Sequence, residues 1–307
     1  MAALRIGTRG SPLALAQARL ARLRLAAQDP ALADPAAVEI VPIRTSGDRL
    51  SAANLAELGG KGLFTREIEE ALISGAIDVA VHSMKDLPSE LPDGLVIAAL
   101  LPREDPRDAL IAPGAARLAD LPRGARVGTS SLRRGAILLN RRRDLSIVPF
   151  RGNVDTRLRK LAAGEVAATI LAYAGLKRLD RAGEASCVLG TDEMLPSPCQ
   201  GAIGLECRES DARVRPLLAA ASDLATAVCI DAERAMLAAI DGSCRTPFAG
   251  LAELDGDTIA VRGLVVRPDG SELIAADRRG PARQAAALGR ALGEELRRRA
   301  GPDFFVV

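Results

Sequence analysis

The strongest constraint on the fold lies in the middle of the chain, where short apolar runs alternate three times with helical patterns. The predicted strands and the helices that follow them cover residues 126–128 and 131–142, 145–150 and 154–163, 168–172 and 176–179. Such a series is typical of parallel strands joined by right-handed crossover helices. The sequence therefore predicts an α/β domain built on a parallel sheet.

The first hundred residues show the same alternation. Strands are predicted at residues 4–8, 38–43, 79–83 and 95–100, and helices at 12–28 and 64–74. Ser11 and Pro12 favour the first helix start, since serine caps a helix and proline suits its first turn. A polar, glycine-bearing stretch at 45–62 is long enough to indicate either a lid or a disordered segment.

The C-terminal third has a different pattern. A helix at 223–240 precedes three strand-like runs with Asp-Gly turns between them, and a last helix follows at 282–299. The runs cover residues 248–254, 258–266 and 273–276. This order predicts an antiparallel three-stranded sheet with flanking helices.

The composition excludes several functional classes. A hydrophobic content of 48% indicates a globular chain, and a net charge of +2 means that any anion site must be a local cluster. Five Phe, one Tyr and no Trp leave few platforms for stacking nucleic-acid bases. The single histidine, His82, rules out zinc sites built on several histidines, and its place in a predicted buried strand favours a hydrogen-bonded core role.

The five cysteines form no C-x-x-C pair, which argues against a disulfide framework or a metal cluster. Cys187 and Cys229 lie in or beside apolar stretches and favour packing roles, whereas Cys207 is ambiguous. Cys244 follows a helix in a turn beside Arg245, a setting that favours the thiolate. An attachment point or nucleophile is slightly favoured there over an incidental turn cysteine.

Two arginine-bearing turns follow successive strands of the predicted sheet. The first runs from Gly128 to Arg134 and the second from Arg151 to Arg157. Guanidiniums, hydroxyls and free helix N–H groups would converge there on carboxylates or phosphates. The alternative is that these arginines cap helices or pair with acidic residues, namely Asp144, Asp155 and Glu165. Because two such turns share one sheet edge, we favour the ligand interpretation.

Lys85 and Asp86 follow the strand at 79–83 in the same way. A carboxylate among cations is ionised, and it can stabilise a developing positive charge or relay a proton. Its alternative role is an ion pair with Lys85 or an arginine. Arg9 and Ser11 form a similar strand-to-helix turn, which taken alone could be only a helix cap.

Taken together, these segments resemble the porphobilinogen deaminase (hydroxymethylbilane synthase) family of tetrapyrrole biosynthesis over nearly the whole chain. The segments that carry the resemblance cover residues 8–15, 59–64, 82–88, 103–109, 128–134, 151–158, 174–179, 200–202 and 242–244. The resemblance implies a transferase that joins four porphobilinogens head to tail with loss of ammonia, on a covalent dipyrromethane cofactor, and then releases hydroxymethylbilane with water.

The resemblance also implies three domains. Residues 1–101 with 200–219 and residues 105–196 would form two domains similar to periplasmic binding proteins, with a central cleft. Residues 223–307 would form a smaller α/β domain that presents Cys244, the attachment point of the cofactor through a thioether. The stretch at 45–62 would be a lid with Phe64 at its edge.

The residue roles implied by the resemblance divide into three sets. Asp86 would be catalytic. Cofactor carboxylates would be held by Lys85, Ser131, Arg133, Arg134 and Arg157, with Asp86 also at the cofactor. Substrate would be bound by Arg9, Ser11, Arg151, Arg157, Arg178, Gln200 and Phe64.

The chain departs from the family pattern at four positions. Cys199 and Ser243 stand where glycine is usual, and Asp155 adds negative charge near Arg157. Glu57 lies where some members have lysine and receives no role.

The expected partner is the small anionic substrate alone, with no metal, nucleic acid or membrane. The absence of a signal-type apolar core and of any apolar run near about 18 residues leads us to expect a cytoplasmic protein, and a monomer. The competing hypothesis is a non-catalytic anion receptor of the periplasmic-binding-protein type.

Overall fold

A computed structural model describes residues 4–49, 65–240 and 246–305. The chain divides into two compact units: the first unit is Met1–Glu104 with Ala202–Ala227, and the second unit is Asp105–Gly201 with Val228–Val307. The second unit thus holds both the predicted second domain and most of the predicted third. The three-domain division stays a prediction.

The described residues form thirteen strands and nine α-helices. The strands are β1 (Leu4–Arg9), β2 (Val38–Ile43), β3 (Val79–Ser83), β4 (Leu95–Leu100), β5 (Asp108–Ile111), β6 (Arg126–Gly128), β7 (Ser146–Val148), β8 (Ala168–Ala172), β9 (Cys187–Val188), β10 (Ile203–Arg208), β11 (Phe248–Asp255), β12 (Thr258–Val266) and β13 (Leu273–Pro281). The helices are α1 (Pro12–Ala26), α2 (Ser46–Arg49), α3 (Arg66–Ile73), α4 (Leu132–Arg141), α5 (Val154–Ala162), α6 (Tyr173–Arg178), α7 (Val214–Ala221), α8 (Leu224–Ala239) and α9 (Ala285–Ala300).

The first unit is built on a five-stranded sheet in the order β2-β1-β3-β10-β4. β1 pairs in parallel with β2 and β3, whereas β10 runs antiparallel to both β3 and β4. The apolar side of α1 packs on this sheet through Ala18, Ala21 and Leu25, which are fully buried. Each predicted strand of this sheet is confirmed, and α7, which no sequence pattern predicted, also packs on it.

The second unit contains a second five-stranded sheet in the order β7-β6-β8-β5-β9. β6, β7 and β8 are parallel, as predicted, but β5 pairs antiparallel with both β8 and β9. The predicted parallel strands thus belong to a mixed sheet in which β5 is the reversed strand. The sequence pattern does not reveal β5, because this strand has only four residues and follows a proline-bearing segment.

A three-stranded antiparallel sheet, β11-β12-β13, completes the second unit and confirms the predicted meander. β13 continues to Pro281, well beyond its predicted end. Helices α8 and α9 pack beside this sheet and closely against each other. A Cβ added at Gly289 of α9 would lie 2.0 Å from the carbonyl oxygen of Ala232 in α8. These elements share a buried core around Met236 and Leu292.

The predicted lid at 45–62 is described only in part. Ser46–Arg49 form the short helix α2, where the sequence predicted irregular chain. Residues 50–64, including Glu57 and Phe64, lie outside the described residues.

Gly128 offers a test of how tightly the second sheet is packed. A Cβ at this position would lie 2.5 Å from the ring of Phe150, so we expect Gly128→Ala to lower the free energy of unfolding by about 1–3 kcal/mol. Gly183→Ala is the control, since nothing lies within 4 Å of its added Cβ, and a change within about 0.5 kcal/mol is expected. Urea unfolding of both variants measures the difference, and equal losses would contradict the packing described here.

Candidate functional site

The two arginine-bearing turns lie side by side at one edge of the second sheet. β6 and β7 are in parallel register, with Gly128 opposite Val148. Beyond the strands, the Thr129 N–H donates to the Val148 carbonyl at 3.0 Å and the Phe150 N–H donates to Ser130 Oγ at 3.0 Å. The predicted juxtaposition of the two turns is confirmed.

Polar caps set the start of each helix that carries the arginines. Ser131 Oγ accepts from the Arg134 N–H at 3.4 Å and begins α4. Asn153 Oδ1 accepts from the Thr156 N–H at 2.9 Å and begins α5, which carries Arg157 in its first turns. The caps place the arginine side chains at the positive ends of two helices, where an anion is stabilised.

Arg133 and Arg134 share one buried carboxylate, that of Asp108. Arg133 Nη2 lies 2.8 Å from Asp108 Oδ2, and Arg134 Nη2 lies 2.6 Å from Oδ1. Asp108 is 0% exposed, Arg133 5% and Arg134 6%. The sequence suggests Asp144, Asp155 and Glu165 as alternative partners, and for Arg133 and Arg134 this suggestion is wrong. These three acidic residues form other ion pairs: Asp144 with Arg142, Asp155 with Arg181 and Glu165 with Lys160.

Other guanidinium N–H groups of this cluster donate to main-chain carbonyls or have no hydrogen-bond partner in the described part of the chain. Arg133 Nη1 donates to the Leu195 carbonyl at 2.7 Å, and Arg134 Nη1 to the Ile170 carbonyl at 3.0 Å. Within the described part of the chain, the buried Nε atoms of Arg134 and Arg157 have no hydrogen-bond partner. Buried donors without partners are costly, so these two nitrogens mark a place that suits an added anion.

The cluster of Arg133, Arg134, Arg157 and Asp108 carries a net positive charge. Burial would raise the pKa of Asp108, but Arg133 and Arg134 outweigh it and hold that pKa well below its usual range. Burial, and next the charge of Arg134, lowers the pKa of Arg157 to about 10. Three guanidiniums and one carboxylate leave two net positive charges, which fits a group with two carboxylates.

Gln200 and Arg178 make hydrogen bonds that hold the segment ending at Gly201, after which the chain continues in the first unit. Gln200 Nε2 donates to Asp108 Oδ1 at 2.9 Å and to the Pro106 carbonyl at 2.7 Å. Arg178 Nη2 donates to the Gly201 carbonyl at 2.5 Å. Gln200 therefore belongs to the Asp108 cluster, which the sequence did not indicate. Arg151 is half-buried in the second turn.

Cys199 adopts the backbone conformation for which glycine is usual. Its φ is +62°, and its N–H donates to the carboxylate of Glu233. A non-glycine residue there carries local strain, since L side chains disfavour this region. The chain thus keeps the local backbone that glycine would favour.

In the first unit, three predicted residues line one cavity of about 70 Å³. Arg9, Ser11 and Asp86 lie around it together with residues that the sequence did not single out, namely Gln17, Thr65 and Ser83. Asp86 is exposed, on the 3₁₀ turn Met84–Asp86 that ends β3, and Lys85 lies half-buried in the same turn. Ser11 caps α1 through the Ala14 N–H at 3.3 Å.

Gln17 and His82 form the hydrogen-bonded wall of this cavity. The Gln17 amide lies 2.8 Å from Ser83 Oγ, and His82 Nε2 lies 2.7 Å from Glu206 Oε2. His82 and Glu206 are both buried, which confirms the core role predicted for the histidine. Nearby, burial raises the pKa of Glu69, and the charge of Glu206 adds to this.

Several predicted features lie outside the described residues, above all Cys244 and Ser243. Cys199, Cys207 and Cys229 are buried and Cys187 is half-buried. Burial raises the pKa of the Cys207 thiol to about 11. In residues 4–49, 65–240 and 246–305, no group of three His, Cys, Asp or Glu side chains is placed to bind a metal, and no helix is long and apolar enough to span a membrane.

The mixed α/β sheets and the buried guanidinium cluster define an α/β protein with a candidate anion site. Residues 4–216 match the family model for the dipyrromethane cofactor binding domain of porphobilinogen deaminase, and residues 227–298 match the model for its C-terminal domain. The chain belongs to the porphobilinogen deaminase family.

Curated relatives cover almost the full chain. The porphobilinogen deaminase of Paracoccus denitrificans is 58% identical over 302 residues, which are 98% of this chain and 96% of the relative. The porphobilinogen deaminase of Nitrobacter winogradskyi is 52% identical over 307 residues, which are 98% of this chain and 95% of the relative.

Two solved structures are more distantly similar. The methionine-binding protein MetQ is 16% identical with a TM-score of 0.43, over 71% of this chain and 89% of that one. A periplasmic substrate-binding protein from Coxiella burnetii is 15% identical with a TM-score of 0.43, over 73% of this chain and 94% of that one.

The depressed pKa of Asp108 predicts a specific loss of stability in acid. A carboxyl group whose pKa is lower in the folded state stabilises the protein above its unfolded pKa of about 3.9, and this contribution is lost as the pH falls toward the folded pKa. We expect the free energy of unfolding to fall more steeply below about pH 4 in the wild type than in Asp108→Asn, by up to about 1.4 kcal/mol per pH unit. Urea unfolding between pH 5 and pH 3 measures both slopes; identical slopes would show that Asp108 is not the group responsible.

Proposed function

We propose that this chain joins four porphobilinogen molecules head to tail, releases ammonia at each addition and then releases hydroxymethylbilane by hydrolysis. Family membership over both halves of the chain supports the reaction. The structural observation that carries the proposal is the buried cluster of Arg133, Arg134 and Asp108, with donor nitrogens left for an anion.

The substrate chemistry matches this cluster. Each porphobilinogen ring bears an acetate and a propionate, so a growing chain of rings is a polyanion that needs several fixed cations. Arginine suits this task because its planar guanidinium binds carboxylates through two parallel hydrogen bonds. The burial of Arg134 and the partial burial of Arg157 reduce the screening of these contacts by water.

The residues present fit a dipyrromethane cofactor. In the proposal, Cys244 holds it through a thioether, and its carboxylates contact Lys85, Ser131, Arg133, Arg134 and Arg157. When bound, this group supplies the pyrrole carbon to which the first porphobilinogen is added. The orphaned Nε atoms of Arg134 and Arg157 support this assignment, because each would gain a carboxylate partner.

The incoming substrate is assigned to a second set of residues. In the proposal these are Arg9, Ser11, Arg151, Arg157, Arg178, Gln200 and Phe64. The cavity in the first unit supports part of the set, because Arg9 and Ser11 line it beside Asp86. A guanidinium and a hydroxyl there suit a carboxylate of a single pyrrole ring.

Asp86 is proposed as the catalytic carboxylate. Loss of ammonia leaves an electron-poor methylene-pyrrole cation, and a nearby carboxylate stabilises that positive charge electrostatically. The same carboxylate can accept the proton that the attacking pyrrole carbon loses when the new bond is complete. Its exposed position at the cavity rim, at the end of β3, makes it accessible to a substrate.

Intact-mass measurement tests the covalent attachment. The purified wild-type chain is expected to carry an adduct of two linked pyrrole rings, and Cys244→Ser is expected to carry none. Cys187→Ser is the matched control and should keep the adduct, since Cys187 is a half-buried thiol in β9. An unmodified, folded wild-type chain that stays inactive after incubation with porphobilinogen would favour the non-catalytic anion receptor instead.

Asp86→Asn tests the catalytic role. The change keeps the size of the side chain and removes its charge, so we expect a normal fold and a loss of turnover of about 10²-fold or more. Asp93→Asn, an exposed aspartate before β4, is the control and should retain turnover. Rates of porphobilinogen consumption decide the matter, and near-normal turnover of Asp86→Asn would remove Asp86 from the mechanism.

A monomer in the cytoplasm completes the proposal. Sedimentation of the purified chain tests the first part, and a dimer at micromolar concentration would contradict it.

A further inference from the structure

We propose that Asp108 is a positioning residue of the anion site: it fixes the guanidiniums of Arg133 and Arg134 so that the unpartnered Nε–H of Arg134 is directed toward a carboxylate of the ligand. The inference rests on the proposed function for the identity of that ligand. Neither the sequence pattern nor the proposed function assigns a role to Asp108, so the inference adds this residue to the site.

Both oxygens of the Asp108 carboxylate accept hydrogen bonds from buried side chains. Oδ2 of Asp108 accepts from Arg133, while Oδ1 accepts from both Arg134 and Gln200. All four side chains are almost completely buried. A carboxylate with both oxygens engaged in this way fixes the direction of each donor, since charge-assisted hydrogen bonds are short and directional.

Two hydrogen bonds fix the plane of the Arg134 guanidinium. Nη2 is held by Asp108 and Nη1 by the Ile170 carbonyl, so two edges of the planar group are fixed. The third donor, Nε, is buried and has no partner in the described part of the chain. Once the two Nη atoms are fixed, the direction of this free N–H is also fixed, because the guanidinium is rigid and planar.

Asp108 itself lies on a strand, which is a rigid element. It is the first residue of β5, where it pairs with Ala172 of β8, and its carbonyl accepts from the Leu189 N–H at 2.8 Å. Sites built on strands hold their geometry more closely than sites built on loops. The carboxylate therefore acts as a fixed reference for side chains that come from α4.

The charges of the cluster also favour this role for Asp108. Arg134 lies close enough to Arg157 to lower the pKa of Arg157, and Arg133 and Arg134 repel each other. Asp108 offsets one of these three charges and leaves two, which matches the two carboxylates of one ring. Removing the carboxylate would increase the positive charge, yet we infer weaker binding, because the three cations would then separate.

The test follows cofactor loading in the full chain. Each variant is produced in a host that cannot make porphobilinogen, then incubated with porphobilinogen, and the gain in mass is followed with time. Asp108→Asn is expected to load at least tenfold more slowly than the wild type, at a temperature where circular dichroism shows it to be folded. Turnover is not the readout.

Two controls separate positioning from general stability. Asp144→Asn removes the carboxylate of another Asp–Arg pair in the second unit and should load at the wild-type rate. Leu121→Ala removes a buried core side chain but keeps the Leu121 carbonyl, which accepts a hydrogen bond from Arg142. This variant should also load normally despite a lower thermal midpoint. If Leu121→Ala and Asp108→Asn load equally slowly at equal thermal midpoints, the positioning role is wrong.

A second variant covers the case in which Asp108→Asn does not fold. Asp108→Glu keeps the charge but displaces the carboxylate by one methylene, and we expect it to fold and to load at least threefold more slowly than Leu121→Ala. Loading of Asp108→Glu, or of a folded Asp108→Asn, at the wild-type rate would overturn the inference and leave the proposed function intact. A wild-type chain that does not load at all would instead refute the proposed function.

Discussion

The ionic cluster around Asp108 is the constraint on which the second unit depends. Placing a carboxylate where water does not reach it is costly unless opposite charges and hydrogen bonds surround it. Arg133, Arg134 and Gln200 meet that demand from an adjoining helix and from the segment that leads back to the first unit. The same contacts that stabilise the carboxylate also hold Arg133 and Arg134 of the first arginine-bearing turn, so the stability of the second unit and the proposed anion site depend on the same atoms.

Much of this arrangement was predictable because local patterns carried it. Short apolar runs located β1, β2, β3 and β8, and the helical patterns that follow such runs located α4 and α5. Parallel pairing then followed from the alternation of strand and helix. The meeting of the two arginine turns required only the rule that successive parallel strands end at one edge.

The rest was unpredictable because it depends on contacts distant in sequence. Asp108 opens a strand too short to show a period, and its partners lie 25, 26 and 92 residues away. Gln17 is no more distinctive in the sequence than any polar residue of an exposed helix, yet it meets Ser83 in the cavity wall. One cue was available for Asp108: an acidic residue directly before the apolar run at 109–112 predicts a buried charge once that run is interpreted as a strand.

The position of β10 in the first sheet has a consequence for how the chain acquires its structure. This strand separates β3 from β4, yet it is synthesised only after nearly the entire β5–β9 sheet. Until residues 203–208 leave the ribosome, the edges of β3 and β4 that they will cover have no partner in this sheet, and unpaired edges promote aggregation. Such long-range pairing also slows folding, because a large loop must close before the strand is gained. The part of the chain that carries Asp86 is thus begun first and completed late.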